Sequence, residues 1–370
     1  MDSAEDKEQR IQLALGDINA GLASFAEAAT TYAVGHSTLH DRFHGSKPRK
    51  EAHETEQKLS TRLELSIVQW ILFEELAYRP PSKTQVTSFA SDLHRQTGGD
   101  GLIGRHWVDR FIARHPRVQM KVGVPLDAER TKHSRKDHIQ RFFYALEYIQ
   151  STKGVKTGNI VNIDETGTSG REVSRHRVLG TSESATALLS DVASGNWSTY
   201  LEAITGDGRR LTPTMVLEGE SLQKQWFPDE VPDWKYIYSQ NGWSTAQIFH
   251  KWFTEVFLPE TTPENRCDWR LLVLDGLSTH TSTSVMARAW YNRVYLLYLP
   301  SHTSHLSQPC DKGPFSPLKA FYREETGCVS FVPGSCKGSA SDFVKALMPP
   351  FNDWITCSIP SIFCVNRSTL

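Results

Sequence analysis

Three aspartates, Asp164, Asp275 and Asp311, occupy one kind of position in this sequence. Asp164 ends the apolar run of GNIVNIDETG, Asp275 ends that of WRLLVLDG, and Asp311 follows the strand-like VYLLYLPS and a loop, near the start of a helical segment. Leu271, Leu272, Val273 and Leu274 show no polar alternation, the pattern of a strand buried on both faces. In open α/β sheets, sites form beyond the carboxyl ends of such strands. Acids that converge there repel one another unless a cation lies between them, and an all-oxygen set suits a hard divalent ion such as Mg²⁺. Two such ions can activate a water or a 3′-hydroxyl and stabilise the leaving oxygen in phosphoryl transfer. The alternative is that each Asp merely caps a helix or a turn.

The neighbours of these acids offer further chemistry. Glu165 adjoins Asp164, but strand alternation points it to the opposite face, which favours a structural role. His280 follows Asp275 closely. His302 and His305 lie on the loop before Asp311 and could contact phosphate, position water or pack the loop. Cys310 alternates away from Asp311 and is expected to be structural. Trp226, Trp234 and Trp243 mark an aromatic stretch suited to core packing, with base stacking the lesser use.

The elements that must position these residues begin near residue 155. The segments 184–193, 199–208 and 211–220 pattern as successive strands after the one ending at Asp164. Helical STAQIFHKWFTEVFL, strand WRLLVLDG, helical STSVMARAWYN and strand VYLLYLPS follow, predicting a mixed α/β sheet.

The chain ahead of the sheet reads differently. In residues 8–21, Ile11, Leu15 and Ile18 form one helical stripe; SFAEAATTYAVG has Ser24 and Glu27 at capping-box spacing, with Phe25, Ala28, Ala29 and Tyr32 inward. The third segment, HSTLHDRFHG, carries Ser37, Thr38, His40 and Arg42, as the recognition helix of a helix-turn-helix would. Beyond a polar linker the pattern recurs. A long helix presents Leu65, Val68, Ile71 and Leu72, a Pro pair at 80–81 stops it, and a second helix follows. The third, IGRHWVDRFIARHP, turns Trp107, Phe111 and Ile112 inward and Arg105, His106, Arg110 and Arg114 outward, with Arg117 just beyond. Basic residues confined to the outer face of such a helix suit phosphate and major-groove contact.

Composition is consistent with this. The net charge is −1, yet between Arg105 and Arg141 ten Arg and Lys stand against four Asp and Glu, a block able to neutralise phosphates. No apolar run approaches the roughly 20 residues that cross a bilayer, and the start MDSAEDKEQR is too acidic for a signal peptide. The six cysteines show no CxxC spacing, so a reducing intracellular compartment is expected.

NIDETG, QWFPDEVPDWKYIYSQNGW, WRLLVLDG and LPSHTSHLSQPCDKGPFSPLKAFYREE, in that order, resemble the pogo-like branch of mariner-type transposases, a resemblance running from about residue 8 to 325. It implies a multidomain protein: all-α tandem helix-turn-helix domains followed by an α/β ribonuclease-H-like catalytic domain. The implied boundaries are a pipsqueak-type helix-turn-helix at 6–46, a centromere-protein-B-type one at 52–121, a helical linker at 122–154 and the endonuclease domain at 155–325. Asp164, Asp275 and Asp311 match the family's catalytic and metal-binding triad, which would hold Mg²⁺ or Mn²⁺, as two ions. The implied activity is cut-and-paste transposition in the nucleus, on terminal inverted repeats and target DNA, by a protein that could act as a homodimer and needs neither membrane nor small-molecule substrate.

Two departures stand out. The family tends to place His where Leu277 stands, and residues 326–370 lack its charged helices and hold four of the six cysteines, as a frameshifted or mis-spliced tail would.

Overall fold

In the computed structural model the described residues are 4–46, 57–123, 131–169, 197–227, 233–300, 308–312, 314–315 and 318–319. The strand expected at 184–193, His302, His305 and the segment 326–370 lie outside them. The chain divides into two compact units, residues 1–67 and 68–370.

The first unit contains α1 (Ala4–Asn19), α2 (Phe25–Thr31) and α3 (His36–Phe43). Helix α2 starts with the expected capping box: the Ser24 side chain accepts from the Glu27 N–H, and Glu27 accepts from the Ser24 N–H at 2.9 Å. The reciprocal bonds satisfy donors that the first turn leaves open. Ile11, Ala14, Ala28, Val34 and Leu39 form the buried centre, with Leu15, Ile18, Phe25, Ala29 and Tyr32 packed around it.

Helix α4 (Thr61–Leu76) crosses into the second unit, where α5 (Lys83–Gln96) and α6 (Trp107–Arg114) follow. The apolar stripe of α4 is rotated from the expected one. Leu65 is exposed and Ile71 and Leu72 are half-buried, whereas Val68, Trp70, Phe73 and Glu74 are buried. The reason is that α4 serves two partners: Trp70 stacks on Phe89 of α5 at 3.7 Å, while Phe73 meets Tyr295 of the sheet edge-on. Arg79 lies 3.7 Å over the Tyr298 ring and pairs with Glu74 at 2.9 Å. Burial pushes the Glu74 carboxyl up to about 7, against the pull of Arg79.

After α7 (Thr131–Lys153) come β1 (Ile160–Ser169), β2 (Trp197–Thr205), β3 (Thr214–Glu218) and β4 (Lys235–Ser239). Helix α8 (Ala246–Trp252) runs on through a π-helical turn at Phe253–Phe257, and β5 (Arg270–Leu274), α9 (Thr283–Tyr291), β6 (Val294–Tyr298) and the short α10 (Pro309–Lys312) complete the described elements. The six strands form one sheet in the order β4-β3-β2-β1-β5-β6. Strand β2 is antiparallel to β1 and β3, while β1, β5 and β6 run parallel. This mixed α/β arrangement is ribonuclease-H-like, with β4 added at one edge.

Both faces of the sheet are covered, so β5 and β6 are buried throughout, and apart from Arg270 at its start β5 is apolar. On one face Val161, Ile163, Leu201 and Leu272 pack with Phe249, Trp252, Phe253 and Val285 of α8, its π-helical continuation and α9. On the other, Tyr200, Ile204, Met215 and Leu217 pack with Cys310, Phe315 and Leu318, with Trp226 and Trp234 against them. Trp243 departs from the expected packing: it is 54% exposed and stacks on Trp197 at 4.6 Å. Leu272 is fully buried between the sheet and its covering helices, and Leu272→Ala is expected to cost about 2–5 kcal/mol. A thermal midpoint equal to the parent's, measured by circular dichroism, would contradict the buried placement of β5.

Candidate active site

The apolar strands deliver their acids to one end of the sheet. β1 and β5 pair in parallel with Ile160 opposite Leu271 and Asn162 opposite Val273. The same offset, continued two residues, sets Asp164 beside Asp275, just past the carboxyl end of β5; β1 itself runs on to Ser169 in its antiparallel ladder with β2, so Asp164 lies within its strand rather than ending it as the apolar run suggested. Asp311 comes from α10, which packs against β1 and β2. Its attachment is polar and buried: the Cys310 N–H donates to Asn162 Oδ1 at 3.1 Å, and Asn162 Nδ2 donates to Gln308 Oε1 at 2.7 Å. Gln308 in turn donates to the Ile163 carbonyl at 3.3 Å.

Asp164 is half-buried, Asp275 half-buried and Asp311 exposed. Burial pushes the Asp164 carboxyl up to about 7; the charges of Asp311 and Asp275 add to the rise, against hydrogen bonds from the Glu165 N–H and the Gln308 side chain. The Glu165 N–H lies 2.9 Å from Asp164 Oδ1. Asp164 therefore feels the charges of two acids that come from two other segments.

Asp275 is not open on all sides. Its Oδ1 lies 2.7 Å from His280 Nδ1, and the other ring nitrogen lies 3.2 Å from Glu165 Oε1. The buried imidazole packs at a tilt against Phe249, 4.3 Å between ring centres, and the His280 backbone carbonyl accepts from the Tyr298 hydroxyl at 2.9 Å. Burial alone would lower this imidazole, but bonds to Asp275 and Glu165 carry it up to about 9. Glu165 does face away from Asp164, as alternation requires, and its partner there is His280. Leu277 is exposed, its N–H 3.5 Å from Asp275 Oδ1.

Glu202 is a member of the site that sequence reasoning missed. It sits opposite Asp164 across the β1–β2 ladder, fully buried, paired with Arg210 at 2.8 Å and accepting from the Tyr200 hydroxyl at 2.6 Å. Only the strand period of TYLEAIT, combined with the antiparallel register, could have exposed this neighbour. Cys310 is buried, its thiol 3.8 Å from the Asn162 and Glu202 carbonyls; burial raises its pKa well above the usual thiol range, as suits a packing role.

Among the described residues, no group of three His, Cys, Asp or Glu side chains is placed to hold a metal ion. Asp275 is held by His280 at 2.7 Å, and Asp311 is exposed. The chemistry of the donor set nonetheless fits a hard divalent cation, since all three acids offer oxygen and a cation would relieve the repulsion felt by Asp164.

The helical elements carry the second candidate surface. Trp107, Val108 and Phe111 bury the inner face of α6, leaving Arg105, His106, Arg110 and Arg117 exposed and Arg114 half-buried. In the first unit Ser37 and His40 are exposed and Thr38 half-buried, but Arg42 is held by Glu8 of α1 at 3.0 Å. Of the α3 residues expected at DNA, Arg42 is thus held by an ion pair within its own bundle, and the His40 ring packs against Phe25 and His44.

A helical, basic-faced segment preceding a ribonuclease-H-like sheet with acids at its strand ends defines the general class of a DNA-processing protein. Residues 60–122 match the Tc5 transposase DNA-binding domain, and residues 194–329 match the DDE superfamily endonuclease. The matched segments thus pair a transposase-type DNA-binding domain with a DDE-type endonuclease domain. Over 307 residues, 82% of this chain and 29% of the other, it is 27% identical to the protein of Cochliobolus lunatus named MFS-type transporter clz9. It is 28% identical over 163 residues to Chaetoglobosin A biosynthesis cluster protein C of Chaetomium globosum, covering 44% of this chain and 39% of that one. The chain thus spans less than half the length of either relative. Among solved structures it is similar to the Mos1 transposase paired-end complex with left transposon end, at 11% identity and a TM-score of 0.35, covering 96% of this chain and 98% of that one. No helix among the described residues is long and apolar enough to cross a membrane.

The raised Asp164 carboxyl has a consequence for stability. A carboxyl that holds its proton more tightly in the fold than in the unfolded chain stabilises fully below its ordinary value of 3.8 and loses that contribution as pH rises through about 7. His280, raised from 6.5 to about 9, loses its own contribution over that later window. In EDTA the thermal midpoint is therefore expected to fall between pH 4 and 7, and Asp164→Asn to flatten that part of the profile. A variant profile parallel to the parent's would contradict the assignment.

Proposed function

We propose that this protein is a DNA transposase that binds the terminal inverted repeats of its element and carries out metal-dependent strand cleavage and transfer through Asp164, Asp275 and Asp311. The observation that carries the reading is the convergence of these acids: Asp164 within β1, Asp275 just past the end of the adjacent parallel β5, and the third on a segment bound to β1. Carboxylates repelling one another beside a DNA-reading domain have their simplest use in holding Mg²⁺ or Mn²⁺, as two ions. The chemistry such ions supply is activation of an attacking water or 3′-hydroxyl and neutralisation of the leaving oxygen.

The chain's own residues contribute the rest. Arg105, His106, Arg110, Arg114 and Arg117 would meet phosphates and base edges of duplex DNA, with Ser37, Thr38 and His40 as a second reading surface. His280, held between Glu165 and Asp275, would fix the orientation of the Asp275 carboxylate while keeping its own charge matched. Arg210 would neutralise Glu202, so that this fourth acid, the fully buried one, adds no repulsion at Asp164. Action in the nucleus and as a homodimer are part of the proposal.

The grip of His280 on Asp275 also favours a second reading, a transposase-derived protein that binds DNA without cutting it. A strand-transfer assay with Mg²⁺ or Mn²⁺ on the matching inverted repeat separates the two. Cleavage that Asp275→Asn abolishes, with footprinting unchanged, is the outcome expected of the enzyme; a footprint with no cleavage by the parent sinks the enzymatic reading. Arg110→Ala is expected to weaken repeat binding by about 1–3 kcal/mol if it reads a base, with relaxed specificity at one position. Unaltered affinity in a mobility-shift titration would remove α6 from the interface.

A further inference from the structure

We propose that Asn162 is the positioning residue that assembles the three-carboxylate site, joining through one buried amide the three chain segments that bear the acids. The inference deepens the transposase reading and rests on it for its chemistry, though not for its geometry.

Asn162 is fully buried in the middle of β1, two residues before Asp164. A buried polar side chain costs stability unless its groups are matched, so its partners reveal its use. Its Nδ2 donates to the Val273 carbonyl at 3.1 Å, on β5 two residues before Asp275, and to Gln308 Oε1 at 2.7 Å. Its Oδ1 accepts from the Cys310 N–H at 3.1 Å, immediately before Asp311. Gln308, itself fully buried, closes the circuit by donating to the Ile163 carbonyl at 3.3 Å and hydrogen-bonding the Asp164 carboxylate.

The β1–β5 ladder would bring Asp164 and Asp275 together without this side chain. Asp311 has no such ladder. It comes from a four-residue helix whose polar attachment to β1 runs through Asn162 and Gln308, with Cys310, Phe315 and Leu318 supplying the apolar part. Neither an aliphatic residue nor an acid at 162 could both donate to Val273 and Gln308 and accept from Cys310. The amide alone offers both, and for that reason an apolar core strand carries an Asn.

The test compares Asn162→Leu with the parent, using the full chain in EDTA at pH 8. If Asn162 holds Asp311 near Asp164, Asp311→Asn in the parent relieves repulsion and raises the thermal midpoint by about 2 °C or more, and the rise vanishes in the Asn162→Leu background. A rise of equal size in both backgrounds, or none in the parent, overturns the proposal. With Mn²⁺ added, Asn162→Leu is expected to bind the ion at least about tenfold more weakly in a calorimetric titration, while repeat-DNA affinity stays within about twofold. Equal Mn²⁺ affinity in variant and parent also overturns it. Should Asn162→Leu fail to fold, Asn162→Leu with Gln308→Met removes both halves of the buried bond and takes its place. A parent that binds no Mn²⁺ and cuts no DNA defeats the transposase reading, while the midpoint comparison still decides the role of Asn162.

Discussion

The structure turns on the cost of gathering like charges at the ends of buried strands. Asp164 sits at the rim of a sheet whose two faces are both covered, and Asp275, Asp311 and Glu202 all lie around it. Left alone, four carboxylates in a partly dry environment would push the segments apart. Each is balanced differently. Glu202 is cancelled by Arg210 and the Tyr200 hydroxyl, Asp275 shares His280 with Glu165, and Asp164 takes hydrogen bonds from the Glu165 N–H and Gln308. Asp311 alone faces solvent. The imbalance that remains falls on Asp164, where a cation would be most welcome.

The helical segment ahead of the sheet obeys a simpler rule. Helix α6 has a narrow buried stripe and an outer face left to Arg and His, so its chemistry follows from its amphipathicity. Helix α4 is broader in its contacts, because Trp70 serves α5 while Phe73 and the nearby Arg79 serve the sheet. Helix α4 is therefore packed on the sheet through an aromatic contact together with the Arg79 cation. Arg42 shows the opposite outcome, a basic residue on a reading helix that closes an ion pair inside its own bundle.

Much of this was legible in the residues. The run from Leu271 to Leu274 announced a strand buried on both faces, Ser24 and Glu27 announced a helix start, and the switch near residue 155 from helical to strand periodicity announced the mixed sheet. Less legible were the partners. Leu65 looked like a core residue because a single helix face was assumed, whereas α4 packs on two sides. Trp243 looked like packing, yet it stacks on Trp197 with half its surface open.

By itself the sequence determined the strand end at which Asp275 falls, the helical spacing of the basic residues and the order of the elements, because periodicity and turn chemistry act over a few neighbouring residues; that β1 runs on past Asp164 to Ser169 was decided by its ladder with β2. Only the tertiary structure decided that Glu202 would stand across from Asp164, that His280 would bridge Asp275 and Glu165, and that Asn162 would bind the segment carrying Asp311. These are contacts between residues up to 148 positions apart. Their existence depends on strand register and on the burial that makes an unmatched polar group costly, and neither quantity is written in local pattern.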